Sequence, residues 1–198
     1  MRKLVVGVVC LLSLGSAWGE TKVKKQDAKV FYVYKDAGSR ENNFCPAGWM
    51  GSYKSLKYNG AYKISPQSGT TAIQIVYDVK KDSETMWAGI YWSHPCSNWG
   101  DKKGGYNLDG FKKLSFWVKG DGFIDKIGMG GITGQTEEGD SADEYIERIE
   151  LTPEWKQYTI DLKGVDLSHI IGGFVFAASA ENNDKNIILM IDEVRYER

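Results

Sequence analysis

Short apolar runs with a period of two, each closed by a turn signal, constrain this chain more than any other feature. Thr71 to Val79 places Ile73, Ile75, Tyr77 and Val79 on one face and Gln74, Val76 and Asp78 on the other. Successive strand residues point to opposite faces, so this run reads as a strand with one buried side. Further strands are predicted over 30–34, 86–93, 111–119, 124–132, 145–151, 155–162, 171–177 and 187–196, with Gly, Asn, Asp and Pro clusters between them. Residues 141–151 open like a helix N-cap, but Ile149 and Leu151 lie at strand spacing and no window has convincing helical periodicity. Many short strands with frequent turns predict an all-β fold, a two-sheet antiparallel jelly-roll sandwich. With 13% aromatic residues, 23 glycines and only four prolines, the composition suits strands and loops more than helices.

The N-terminus reads as an export signal. Arg2 and Lys3 precede an apolar run from Leu4 to Leu14, and Gly15, Ser16, Ala17 and Gly19 supply the small residues of a cleavage site. The run is shorter than the about 20 residues that span a bilayer, so cleavage after Ala17-Trp18-Gly19 is expected rather than membrane insertion. Cys10 lies inside the run after Val8 and Val9, away from the position of a lipid-attachment cysteine. The expected organisation is a signal peptide over 1–19, a loose charged lead-in over 20–28 and a single β-sandwich over 29–198. The protein is expected in the periplasm or outside the cell, as a monomer. Residues 1–19 carry two basic side chains and no acid, so their removal takes the formal net charge from -1 to -3. That mild acidity argues against a nucleic-acid partner, which needs a basic field.

Two cysteines survive cleavage, Cys45 and Cys96, and in an oxidising compartment such a pair is expected to form one disulfide. Neither has a second cysteine at metal-ligand spacing, and His94 stands alone beside Pro95.

The tryptophans divide into core and site candidates. Trp117 lies mid-strand and points opposite to Leu114, Phe116 and Val118, and Trp155 is read as packing at the sandwich edge. Trp49 and Trp99 sit in Gly- and Asn-rich segments, four and three residues from the two cysteines. A disulfide brings its Cα atoms within about 7 Å, which predicts a rim gathering Trp49, Met50, Asn98, Trp99 and Tyr106. Between them, Trp87, Gly89, Tyr91 and Ser93 share one face of a strand, and Ala88, Ile90 and Trp92 share the other. One face is expected in the core, while the other extends the aromatic platform. Such a platform suits a sugar, whose apolar C–H face stacks on an aromatic ring while its hydroxyls bond to amides and carboxylates. The candidate ligand-binding residues are Trp49, Trp87, Tyr91, Trp92, Asn98, Trp99, Gln135, Glu137 and Asp140, with Glu138 in the same acidic loop. That loop is equally readable as a solvated turn, and its carboxylate spacing matches no EF-hand.

Several of these runs form a recognisable set: GWMG at 48–51, WAGIYW at 87–92, NWG at 98–100, GGY at 104–106, LSFWVKG at 114–120, MGGI at 129–132, EWKQYTIDLKG at 154–164, GGF at 172–174 and IDEVRYE at 191–197. Together they resemble exported bacterial proteins of the galactose-binding-like β-sandwich superfamily, close to non-catalytic carbohydrate-binding modules. The resemblance implies a jelly roll with a ligand site on one concave sheet or its rim loops, and no catalytic residues. It also implies a structural calcium clasping the first strand to the last, for which Asp192, beside Glu193, and Asp36 are the candidate ligands. The two cysteines are not part of that pattern.

The expected function is therefore a secreted or periplasmic glycan-binding protein. Two alternatives remain open at this stage. One is a protein-interaction or envelope-assembly module using the same tryptophans. The other is a jelly-roll glycosidase, which needs two carboxylates about 5 to 9.5 Å apart. Regular strand alternation would put Glu144 and Glu150 on one face and Glu147 on the other. The chain has no Gly-x-Ser-x-Gly elbow, His-Glu-x-x-His motif or P-loop.

Overall fold

The structure, a computed structural model, describes residues 25–81 and 85–198. The expected export signal lies outside them. Eleven strands are present among the described residues: β1 (Val30–Tyr34), β2 (Cys45–Gly51), β3 (Leu56–Tyr62), β4 (Ala72–Tyr77), β5 (Trp87–Ser93), β6 (Lys113–Asp121), β7 (Phe123–Met129), β8 (Glu144–Glu150), β9 (Lys156–Asp161), β10 (Gly172–Ser179) and β11 (Ile187–Glu197). They form two antiparallel sheets, β3-β4-β11-β6-β9 with β1 also on β11, and β2-β5-β10-β7-β8. The all-β, two-sheet jelly roll read from the sequence is the observed fold.

The alternation that announced the strands fills the space between the sheets. Ile73, Ile75 and Tyr77 of β4, Leu114, Phe116 and Val118 of β6, and Leu189 and Ile191 of β11 are buried from one side. Ala88, Ile90 and Trp92 of β5 meet them from the other, with Phe174, Phe176 and Ala178 of β10. Phe174 joins the layers, lying edge-on to Phe116 at 5.2 Å and to Trp92 at 5.4 Å. Burying a side chain of this size contributes about 1.5 to 3 kcal/mol each, so this layer supplies most of the driving force.

Two strands, β2 and β3, are absent from the sequence reading. Both are edge strands, and both contain residues that weaken a strand pattern: Pro46, Gly48 and Gly51 in β2, and Gly60 in β3. The lead-in also departs from expectation over residues 25–28. Gln26 N donates to Asn107 O at 2.9 Å, and the Arg198 guanidinium donates to the carbonyls of Ala28 and Gln26.

One irregularity shapes the face described below. Arg148 has φ of 56°, and around it β7 and β8 change phase together. Ile127 and Ile146 pair facing the core, and three residues along Ile124 and Ile149 pair facing it again. As a result Glu147 and Glu150 both lie on the outer side of the sheet, where regular alternation had placed them on opposite sides.

Candidate functional site

The outer face of β2-β5-β10-β7-β8 is ordered in transverse rows set by the strand register. Gly48, Tyr91, Val175, Gly128 and Tyr145 lie abreast in one row, and Met50, Gly89, Ala177, Lys126 and Glu147 in the next. Trp87 and Ser179 continue the pattern. Small side chains run down the centre of the face, Val175 and Ala177 on β10 and Gly128 on β7, while Trp87, Tyr91 and Met50 stand on one side and Lys126, Tyr145 and Glu147 on the other. The face is therefore a trough with an aromatic wall on the β2 and β5 side. Lys126, Tyr145 and Glu147 line the opposite side, with the Lys126 ammonium 4.0 Å from the Tyr145 ring centre. Neighbouring strands are spaced about 4.8 Å apart, so five strands give a surface about 19 Å across.

Trp99 arrives from the loop after β5 and stacks on Tyr91, ring centres 5.5 Å apart and planes 16° apart. Space for this stack comes from two glycines. A Cβ on Gly48 would lie 2.8 Å from Tyr91 Cβ and 3.1 Å from the Trp99 ring, and one on Gly172 would lie 2.1 Å from the Tyr91 hydroxyl oxygen. Trp99 remains 37% exposed and Trp87 39% exposed. Trp87 lies four residues from Tyr91 on the same strand, about 13 Å along it. Two open indoles thus stand along one wall of the trough.

Asn98 and Asp140 hold Trp99 and Tyr91 in place. Asn98 is fully buried: its Nδ2 donates to the carbonyls of His94 and Lys102, and its Oδ1 accepts from Gly100 N and Lys102 N. Asp140 is buried too, accepting the Tyr91 hydroxyl at 2.7 Å and Ile132 N on Oδ2, and Ile171 N and Gly172 N on Oδ1. With their polar atoms taken by protein partners, neither is offered to a ligand. They act as a frame for the Trp99–Tyr91 stack. Burial pushes the Tyr91 hydroxyl well above its ordinary range, reinforced by Asp140, so it stays a neutral donor to that carboxylate.

The remaining sequence candidates separate clearly. Cys45 and Cys96 form the expected disulfide, with Cα atoms 5.2 Å apart. Closing a loop of 51 residues stabilises by about 4 kcal/mol in the chain-entropy model. Trp92 is 1% exposed and belongs to the core, because it shares a face with Ala88 and Ile90. Trp49 is a strand residue, not a loop residue. It pairs with Ile90 in β2 and so points away from the trough, lying edge-on to Tyr58 at 5.9 Å. The disulfide does not gather the two tryptophans on one surface. Tyr106 packs against Phe31 and Phe44 and donates to Asn43 O, so it is no rim residue either. Gln135 and Glu137 are exposed on the acidic loop. That loop meets the Trp99 loop at Gly100, where a Cβ would lie 2.0 Å from Thr136 Oγ1. Met50, grouped with the rim in the sequence reading, lies on this face opposite Gly89, and Lys126 and Tyr145 line it without having been named from the sequence; their register against β5 and β10 puts them there.

Asp36 and Asp192 serve as hydrogen-bond acceptors that fasten the segment from 67 to 71. Asp36 accepts from Thr70 N and from the Thr70 and Thr71 hydroxyls, and Asp192 from Gln67 N, Ser68 N and Glu193 N. Among the described residues no group of three or more His, Cys, Asp or Glu side chains could hold a metal ion. Calcium takes six to eight oxygens, and two carboxylates already occupied by N–H and O–H donors do not fit one.

The outer face of the other sheet differs in kind. Arg195 pairs there with Glu193 and Glu197, and Lys113 with Glu197 at 3.0 Å. Trp117 is half-buried between such neighbours, as its strand position predicted, and Trp155 Nε1 donates to Ser65 O.

The fold is that of β-sandwich carbohydrate-binding modules. A family 30 carbohydrate-binding module superposes with a TM-score of 0.55 at 14% identity, covering 85% of this chain and 87% of its own. A family 29 module mutant complexed with cellulohexaose gives 0.52 at 13% identity over 89% and 92% of the two chains. Another mutant of that module, complexed with mannohexaose, gives 0.50 at 14% identity over 84% and 89%. No family model and no curated protein sequence matches the chain.

Proposed function

We propose that this chain is an exported, non-catalytic glycan-binding protein that takes a polysaccharide along the trough of β2-β5-β10-β7-β8. The observation that carries the reading is the pair of open indoles, Trp87 and Trp99, above a floor of small residues. Each indole offers an apolar face to a pyranose ring, while Lys126, Glu147 and the acidic-loop side chains Gln135 and Glu137 offer donors and acceptors to hydroxyls. Ala177 of β10, half-buried, is the small residue at which a ring can lie close to the sheet. The neighbours complexed with cellulohexaose and mannohexaose support an oligosaccharide as the ligand class.

A trough with charged and hydroxyl groups facing its aromatic wall favours a sugar over a protein interface, which would be flatter and more evenly apolar at its centre. Binding is preferred to hydrolysis because the neighbours complexed with oligosaccharides are carbohydrate-binding modules. Glu147 is exposed and so is Glu150. The disulfide supports an oxidising compartment, the periplasm or the cell exterior.

Calorimetric titration of the mature protein with cellulohexaose, mannohexaose and a panel of soluble polysaccharides tests the proposal. Saturable binding to at least one, weakened at least tenfold by Trp87→Ala, is the expected result. Absence of binding across the panel, or release of reducing ends from a bound glycan, would overturn it.

A further inference from the structure

The two edge strands missing from the sequence reading border an open cavity of about 420 Å³, lined also by residues between 33 and 44, on the opposite side of β2 from the trough. Both strands break register where they border it: β2 between Pro46 and Gly48, and β3 between Asn59 and Tyr62. Bulges in edge strands bend them and leave backbone unpaired, and they recur beside binding sites. Here they face one another across the open side of the sandwich.

The lining has a definite chemistry. Trp92, Phe44 and Pro46 supply apolar surface, the Tyr58 ring adds a further wall, and Asn42 and Asn59 add amides; no charged side chain lines the space. Most polar groups there are already engaged. Tyr34 donates to Gly60 O at 3.0 Å, and both ends of the Asn42 amide are bonded to backbone. Two are not. The Tyr58 hydroxyl and the Asn59 Nδ2 have no protein partner among the described residues and are open to water, Asn59 being exposed, whereas Asn59 Oδ1 accepts from Ala61 N. Gly60 keeps room for the Tyr58 hydroxyl, because a Cβ there would lie 2.7 Å from its oxygen. Trp49, 37% exposed, stands edge-on against the same tyrosine.

An uncharged, aromatic-walled cavity with a spare hydroxyl and a spare amide donor suits one neutral sugar ring. Its volume falls within the about 300 to 1,000 Å³ of small-ligand sites. A charged sugar would lose hydration without gaining a counter-charge. We propose that this edge cavity is a second site, separate from the trough, that takes a single free neutral hexose.

The test uses the mature protein with indole-¹⁵N tryptophan and the methyl glycosides of glucose, mannose and galactose as probes. One of them is expected to shift the indole signals of Trp92 and Trp49 and to leave Trp87 and Trp99 in place. Ala61→Phe, at an exposed position of the lining, should abolish that shift, and Tyr58→Phe, which keeps the ring, should weaken binding about tenfold. Trp99→Ala should leave it unchanged. Shifts confined to Trp87 and Trp99, no shift at saturating sugar, or an undiminished response in Ala61→Phe would each overturn the proposal. The hexasaccharide titrations read the trough independently, so either site can fail alone.

Discussion

Trp49 and Trp99 have the same exposure, 37%, and lie within four residues of the same disulfide, yet they serve opposite sides of one sheet. Trp99 is carried by a loop that folds back over the outer face and stacks on Tyr91. Trp49 is carried by a strand, and its register against Ile90 turns it toward the seam between the sheets. The disulfide fixes how near the two segments are; strand parity decides which way a side chain points. Proximity along the chain to a crosslink is therefore a poor guide to a shared surface.

Breaking the disulfide is the strongest perturbation of this pair. Cys45→Ser with Cys96→Ser should lower the unfolding free energy by about 4 kcal/mol, measured by denaturant titration. If the Asn98 bonds hold the Trp99 loop as argued, the folded double variant still binds glycan. Removing the frame beneath the stack comes next. Asp140→Ala leaves the Tyr91 hydroxyl and three backbone N–H groups without their acceptor, at a cost of about 3 kcal/mol, and should reduce glycan affinity as Trp99 loses its support. The same change should leave methyl-glycoside shifts at Trp49 intact, sharpening the contrast between the two tryptophans.

A smaller effect concerns the far side of the sandwich. Burial pushes the Asp192 carboxyl up to about 6, although three backbone N–H groups oppose the shift. A carboxyl raised above its unfolded value destabilises the fold when ionised, so its contribution is best below about pH 4 and is lost as pH rises through about 6. The expected gain between pH 7.5 and pH 5 is about 1 kcal/mol, after allowing for solvent screening. Glu197 acts in the opposite sense at lower pH: burial raises it, but bonds from Ser115, Lys113 and Arg195 outweigh that and hold it below its ordinary value. Stability should therefore peak between about pH 4 and 6 and fall below that range, as thermal melts across pH would show. Glycan affinity should change little over the same interval, because Asp192 is remote from the trough.

Much of the fold was legible because the core strands alternate so regularly. Ile73, Ile75 and Tyr77 announce a buried face on their own, and the alternation along β5 marks two faces, of which Ala88, Ile90 and Trp92 form the core one. What was hidden depends on register. Pro46 and Gly48 mask β2 because an edge strand tolerates both, and that masking also disguised the direction of Trp49. Arg148 hides a phase change that brings Glu147 and Glu150 to one face, since nothing in an arginine codon position signals positive φ. Asn98 and Asp140 are residue types able to bond a ligand hydroxyl. Only the backbone around them shows that their hydrogen-bonding capacity is spent on the protein itself.

The central claim is that the outer-face indoles, rather than the tryptophan at the seam, hold the glycan. Calorimetry with a bound hexasaccharide on Trp99→Ala and Trp49→Ala measures it directly. An aromatic stacking contact of about 1.4 to 2.8 kcal/mol predicts a ten- to hundredfold loss for Trp99→Ala and less than a twofold change for Trp49→Ala. Equal losses in both variants, or a larger loss in Trp49→Ala, would contradict the account.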